Sequence, residues 1–505
     1  MIKAFLMYPS RDADATPAPR TDVFQDLELD VLLGVAAAGD RCIRDAMEAA
    51  LSHAWTNDLE TIRYRQGVLK DCLENPVTVR QLYALAAEPF GRDRSWNFSL
   101  YGRDPSSRVG SAGRTLHSCL GVLRRLRKVC TSHAVGFVSP GFRQFFAMLE
   151  RDLDDAYLDA ASADLDNLTF RNGVLLSARV GSGGKGVDTM LRKPRPGDLS
   201  WVQWLLTPGN PGYTLQLHPR DDAGAQAFSE LQGRGLGLIS DALYQSAEHV
   251  LDFMGMLRSE LAFYVGCLNL SDRLAQIGEA VAFPDGYETP GRLACANLRD
   301  VCLALTAGRP VVGNSVDADG KPLVIITGAN RGGKSTFLRS VGLAQVMLQA
   351  GLFVTAGSFG ASLRTGLFTH YKRGEDRSMR SGKFDEELVR MSAIADHVRR
   401  GALVLFNESF AATNEREGAE IARQIVSALL DSGVSVISVS HMYEFSKSFL
   451  GDERVLFLRA DRDEDGERNF QLREAAPLAQ SFGADLYQRI FVETGGQAPL
   501  QAACR

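Results

Sequence analysis

The residues Gly328, Ala329, Asn330, Arg331, Gly332, Gly333, Lys334 and Ser335 fit the pattern Gly, four arbitrary residues, Gly, Lys, then Ser or Thr. That spacing suits phosphate. Glycines let successive backbone N–H groups point into one hollow, and a helix starting there brings its positive end to the same point. Lys334 adds a mobile charge for the outer phosphates, and Ser335 offers a hydroxyl to Mg²⁺. The apolar run Val324, Ile325, Ile326 predicts a buried strand before the turn, and residues 335–350 predict a helix after it. The expected ligands are ATP and Mg²⁺, with Gly328, Asn330, Gly332, Gly333, Lys334, Ser335 and Thr336 holding the nucleotide.

Such a loop needs a neighbouring strand that ends in acid. The run Leu403, Val404, Leu405, Phe406, Asn407, Glu408 supplies it. The usual ending is Asp then Glu: the first orients Mg²⁺ and the second polarises the attacking water. Here Asn407 holds the first position. Its amide oxygen accepts from metal-bound water but brings no negative charge, so ATP binding with slow hydrolysis is expected. Ser335 and Asn407 are the expected metal-side residues. In the plainer reading Asn407 merely ends a core strand and Glu408 is solvated. A third run, Ser438, Val439, Ser440, ends in His441. A His at the C-terminal end of a strand donates to a γ-phosphate or orders the water, unless it is only a structural hydrogen-bonding residue. Glu408 and His441 are the expected catalytic pair.

The elements that must position these groups are legible as texture. Residues 27–87 are helical, broken at Asn75 and Pro76. Residues 115–168 are helix-rich. Arg124, Arg125, Arg127 and Lys128 there either contact nucleic-acid phosphates or pair with Asp152, Asp154 and Asp155 on the next helix. Residues 173–218 read as a small β insertion, strand-like at 174–176 and 202–206, with a hairpin turn at 181–186. Residues 224–280 form a long helix with an apolar stripe through Phe253, Met256, Leu257, Leu261 and Tyr264. Beyond the Pro/Gly-rich break at 284–291, strands at 323–327, 402–406 and 434–439 alternate with helices at 335–350, 384–399 and 416–431. Further strands are expected at 455–458 and 469–472. Uninterrupted apolar strands between helices indicate a mainly parallel sheet buried on both faces. The expected fold is an α/β P-loop ATPase domain preceded by a mainly α-helical region. The expected divisions are an N-terminal strand and loop at 1–26, a helical core and lever at 27–285, and the ATPase domain with a C-terminal dimerisation segment at 286–505.

The whole composition is ordinary for a globular protein: 505 residues, 45% hydrophobic and 23% charged. A net charge of −5 argues against a protein that is basic all over, and leaves room for a local basic groove. No apolar run approaches the roughly 20 residues that cross a bilayer, so no membrane partner is expected. The first ten residues make a poor signal peptide and read as a strand. Eight cysteines without a C-x-x-C pair read as reduced thiols of a cytoplasmic protein. The histidines show no H-E-x-x-H spacing for a transition metal.

From about Arg309 onward the chain resembles the ATPase domain of the MutS DNA mismatch-repair family, within the ABC-type ATPases. Residues 327–336, 351–356, Phe368 with Thr369, 382–388, Asn407 to Ser409, and Ser440 with His441 carry the resemblance. Ser481, Phe482 and Gly483 resemble the family's closing segment, which supports dimerisation. Residues 60–66 resemble its core helix. The resemblance implies a homodimer with composite sites, each ATP held by one P-loop and capped by the partner's signature segment, here residues 380–384. Gly382 stands where the family has Ser, so Ser381 is the expected trans contact. Phe410, Ala411, Ala412, Thr413 and Asn414 replace the family's Gly-Arg-Gly-Thr-Ser loop, which with Asn407 marks a divergent branch. Mismatch readers carry an N-terminal domain with a Phe-x-Glu wedge. This chain enters its helical core almost at once, so direct mismatch reading is not expected. The implied function is coupling of nucleotide state to DNA binding, in mismatch repair or related DNA metabolism. The alternative is an ABC-type switch or scaffold whose arms hold a protein partner.

Overall fold

A computed structural model describes residues 3–10, 22–90, 105–167, 176–182, 186–191, 222–373, 382–460 and 469–478. The chain divides into two compact units. One comprises Met1–Ala4, Val77–Val138 and Phe142–Leu261. The other comprises Phe5–Pro76, Ser139–Gly141 and Ala262–Arg505.

The first unit is helical. Pro105–His133, Pro140–Asp152, Asp155–Asn167 and the first part of the helix Asp222–Gln276 supply it. Val122, Leu123 and Leu126 point inward at helical spacing, as do Phe142, Phe145 and Leu149. Phe137, Phe142 and Phe146 pack as a ring cluster, with centroids 4.4 to 5.6 Å apart. The β insertion begins as an antiparallel hairpin of β1 (Leu176–Val180) and β2 (Gly186–Leu191). Hence β1 pairs with residues just past the glycine turn. The strand expected at 202–206 lies outside the described residues.

The second unit is built on a six-stranded sheet. In chain order its other strands are β3 (Asp285–Tyr287), β4 (Leu293–Leu298), β5 (Asn314–Asp317), β6 (Leu323–Gly328), β7 (Ser358–Ser362), β8 (Leu367–Tyr371), β9 (Leu403–Asn407), β10 (Ser435–Val439), β11 (Val455–Ala460) and β12 (Leu472–Glu474). The main sheet runs β12-β11-β6-β10-β9-β8. All its neighbours are parallel except β12, which is antiparallel to β11. Val404, Phe406, Val436, Leu323 and Ile325 face one core with Ala419, Ala422, Val426 and Leu430 of the helix Glu415–Asp431. The opposite face packs on the helix Lys334–Ala350, in which residues 340–350 are all buried. A helix buried all round belongs at a centre, and the buried amides of Gln345 and Gln349 in this one are hydrogen-bonded. A smaller sheet, β3-β7-β4-β5, lies within the same unit.

Three expectations need correction. No N-terminal strand forms: residues 3–10 are irregular, and Asp22–Asp26 is a short helix. Side chains take up the backbone carbonyls a strand ladder would need. Tyr64 donates to Phe5 at 2.6 Å, Tyr264 to Leu6 at 2.6 Å, and Arg65 to Met7 at 2.9 Å. The last strand begins at Leu472, not at 469, because Phe470 has a left-handed backbone, φ 57, that turns the chain first. The segment Phe5–Pro76 also groups with the sheet unit, against the expected division at 285. The segment packs on that unit through buried residues such as Leu27, and it caps the central helix: Asn57 Nδ2 donates to the Gln349 carbonyl at 2.8 Å and Arg65 Nη1 to the Ala350 carbonyl at 3.2 Å. These are end carbonyls of the central helix, without partners inside it.

Candidate nucleotide site

Parallel strands whose order reverses open a crevice at their C-terminal ends. Strand β10 lies between β6 and β9, so three strand ends meet there. The ladder continues one step beyond the strands. Ser440 N–H donates to Ile326 O at 3.2 Å, and Glu408 N–H to Val439 O at 3.0 Å. Those two bonds set the chain ends bearing Glu408 and His441 beside the end of β6.

The loop after β6 bends through Gly328, φ 104, where a Cβ would stand 2.5 Å from Ala460 O. A Cβ on Gly332 would stand 2.8 Å from Ala460 Cβ. Glycine is therefore demanded by close packing on β11 as much as by any ligand. Lys334 Nζ donates to the carbonyls of Gly328 and Ala329, both at 2.9 Å. Ser335 Oγ donates to Asn407 Oδ1 at 2.8 Å. His441 Nε2 and Glu408 Oε1 lie 2.7 Å apart. That hydrogen bond holds the Glu408 carboxyl below its ordinary range, against the opposing effect of burial.

A cavity of about 410 Å³ opens on this loop. Asn330, Gly332, Gly333, Lys334, Ser335, Thr336 and Glu408 line one end. Gly328 and His441 border a neighbouring hollow of about 370 Å³. Ser381 lies outside the described residues, as does the segment 481–483; the helix after the signature segment begins at Lys383. An oxygen-only pair, Ser335 and Asn407, fits a hard cation such as Mg²⁺, with less charge than an Asp would bring.

Sequence reasoning missed the rest of the cavity's lining. Pro310, Val311, Val312 and Phe470 form apolar walls, and Asp300 and Asn314 add polar atoms. Asn314, in β5, donates to Phe470 O at 3.1 Å and accepts from Leu472 N–H at 2.7 Å. The side chain of Asp300 is fully buried beside Arg339, at 2.6 Å, and burial raises its carboxyl above the usual range. The unbroken apolar cluster at 310–312 was a usable signal. Phe470 gave none, because a distant asparagine fixes it.

The basic stretch in the helical unit is largely occupied. Arg124 pairs with Asp159 at 2.9 Å, Arg125 with Glu88 at 2.6 Å, and Arg127 with Asp155. Of the three expected acids only Asp155 takes a partner from this stretch. Asp152 binds Arg151, and Asp154 accepts from Tyr157 N–H. Lys128 is exposed. Among the described residues no helix is long and apolar enough to cross a membrane.

Comparison with known proteins adds independent information. A model described as the MutS2 N-terminal domain matches residues 57–277, and one described as MutS domain V matches residues 324–488. A protein named DNA mismatch repair protein MutS, from Leptospira interrogans serogroup Icterohaemorrhagiae serovar Lai, is 29% identical over 42% of this chain and 27% of its own. Endonuclease MutS2 of Carboxydothermus hydrogenoformans is 34% identical over 26% of this chain and 17% of its own. MutS protein homolog 4 of Mus musculus is 26% identical over 37% of this chain and 21% of its own. The matches thus span under a third of each of these relatives. The second model contains the whole strand-and-loop system around Lys334, and the first covers most of the helices before it. Both domain models point the same way: the chain belongs to the MutS family.

Proposed function

We propose that the protein binds ATP with Mg²⁺, hydrolyses it slowly, and couples nucleotide state to DNA binding as a homodimer. One observation carries this reading: the P-loop hydroxyl of Ser335 meets Asn407 while Glu408 meets His441, all at one crevice. Lys334 would exchange its two loop carbonyls for phosphate oxygens. Ser335 and Asn407 would hold the metal side, and Mg²⁺ would neutralise charge building on the phosphates. Glu408, kept ionised, accepts a proton from water as the water oxygen bonds to the terminal phosphorus. The bridging oxygen leaves with the bond's electrons. His441 fixes the carboxylate that receives the proton. Pro310, Val311, Val312 and Phe470 give the base an apolar slot. The expected trans residue is Ser381 of a second copy, in an ABC-type arrangement.

A second reading, arms that hold a protein partner, is favoured by the ion pairs that occupy Arg124, Arg125 and Arg127. Binding of duplex and branched DNA with and without ATP, at two salt concentrations, separates the two. The DNA reading expects salt-sensitive binding that changes with ATP and loses that change in Lys334→Ala. No binding at low salt rejects it.

A further inference from the structure

Glu408 heads a turn that is unfavourable by itself. Glu408 and Phe410 both have left-handed backbones, φ 52 and 62, a region that residues with a Cβ rarely occupy. Something outside the turn must hold it. Between the two lies Ser409, buried, with its hydroxyl 2.8 Å from His370 Nδ1 and 2.5 Å from the His370 carbonyl. His370, in β8, is fully buried, and its ring stacks on Phe410 at 5.1 Å and 17°.

The other ring nitrogen faces away from the turn. His370 Nε2 lies 2.9 Å from the Glu387 carbonyl, on the helix Lys383–His397. A carbonyl only accepts, so Nε2 carries the proton. Burial pushes the imidazole down to about 4, and a neutral ring then leaves Nδ1 as an acceptor, so the single Ser409 hydroxyl proton is shared between the His370 carbonyl and Nδ1. The Glu387 carboxylate bonds the backbone at Phe410 and Ala412. One imidazole thus meets both the turn after the proposed base and the helix after the signature segment.

We propose that His370 is a positioning residue, holding the 408–410 turn through Ser409 and tying it to the helix Lys383–His397 through Glu387. The inference rests on the reading of Glu408 as the hydrolytic base. A shift of the signature helix, such as a second subunit would impose, then reaches the turn at Glu408 through the His370 ring and through the Glu387 carboxylate.

The test uses the full chain as Ser409→Ala, as His370→Phe, and as the double variant. His370→Phe keeps a ring against Phe410 and removes both nitrogens. Each single variant is expected to slow single-turnover ATP hydrolysis about tenfold with the Kd for ATP unchanged, a loss of geometry and not of binding. The double variant should be no slower than His370→Phe. Amide exchange should quicken at residues 408–412 in both single variants, and at 387–391 in His370→Phe alone. Parent-rate hydrolysis in both single variants, unchanged exchange at 408–412, or multiplying losses in the double variant overturns the proposal. Should the parent chain itself fail to hydrolyse ATP, the functional reading fails, and the exchange pattern alone decides whether the clamp exists.

Discussion

At the residue scale the site differs from an ordinary P-loop site by one atom. Asn407 presents an amide oxygen to Ser335 where a carboxylate usually stands. The loss is one unit of negative charge next to a dication, with little change of shape. Asn407→Asp should tighten the Mg²⁺ dependence of hydrolysis and raise its rate, each by about tenfold, as changes in the groups around a metal typically do. A Mg²⁺ titration of steady-state turnover measures this, and an unchanged midpoint would contradict it. Much of this chemistry was legible in the sequence, because loop, strand end and helix start are consecutive residues. The 2.7 Å contact between Glu408 and His441 was not legible. It depends on β10 lying beside β9, which is a fact of topology. His370 and Ser409 are 39 residues apart and carry no motif, so their contact emerges only from the fold.

At the element scale the central helix Lys334–Ala350 is the piece on which the rest is assembled. Its end carbonyls are met by Asn57 and Arg65, and Gln345 and Gln349 bond Ser362 O and Arg364 O. Asn57 is 5% exposed, so its removal leaves the Gln349 carbonyl without a donor in a dry place. Asn57→Ala should cost about 1–3 kcal/mol of stability, visible as a lowered Tm or denaturation midpoint. A value within the error of the parent would show that water replaces the amide. Sequence periodicity located this helix and its three long companions well. It missed β3, β4, β5, β7 and β8, which are 3 to 6 residues long. β9 and β10 are no longer, but they are unbroken apolar runs, whereas polar residues interrupt the missed strands, which pairing partners define instead.

At the scale of the whole molecule the proposed site is half of one. Glu408→Gln, which leaves bound ATP uncleaved, should sediment as a dimer with ATP and Mg²⁺ and as a smaller species without them. An unchanged sedimentation coefficient would reject the composite site. The main sheet is largely parallel, as its sequence implies, because buried parallel strands announce themselves as unbroken apolar runs. The division of the chain did not follow the change in texture at 285. Residues 57 and 65 read as part of a helical stretch, yet their polar side chains lie against the end of a helix almost 300 positions later. That packing has a practical consequence for anyone who cuts the gene. A fragment starting near residue 286 would keep every residue of the P-loop motif and still strip the cover from its helix, leaving apolar surface to aggregate. A piece that keeps this helix covered would have to rejoin two distant stretches, residues 5–76 and 262 onward, by a linker or by co-expression.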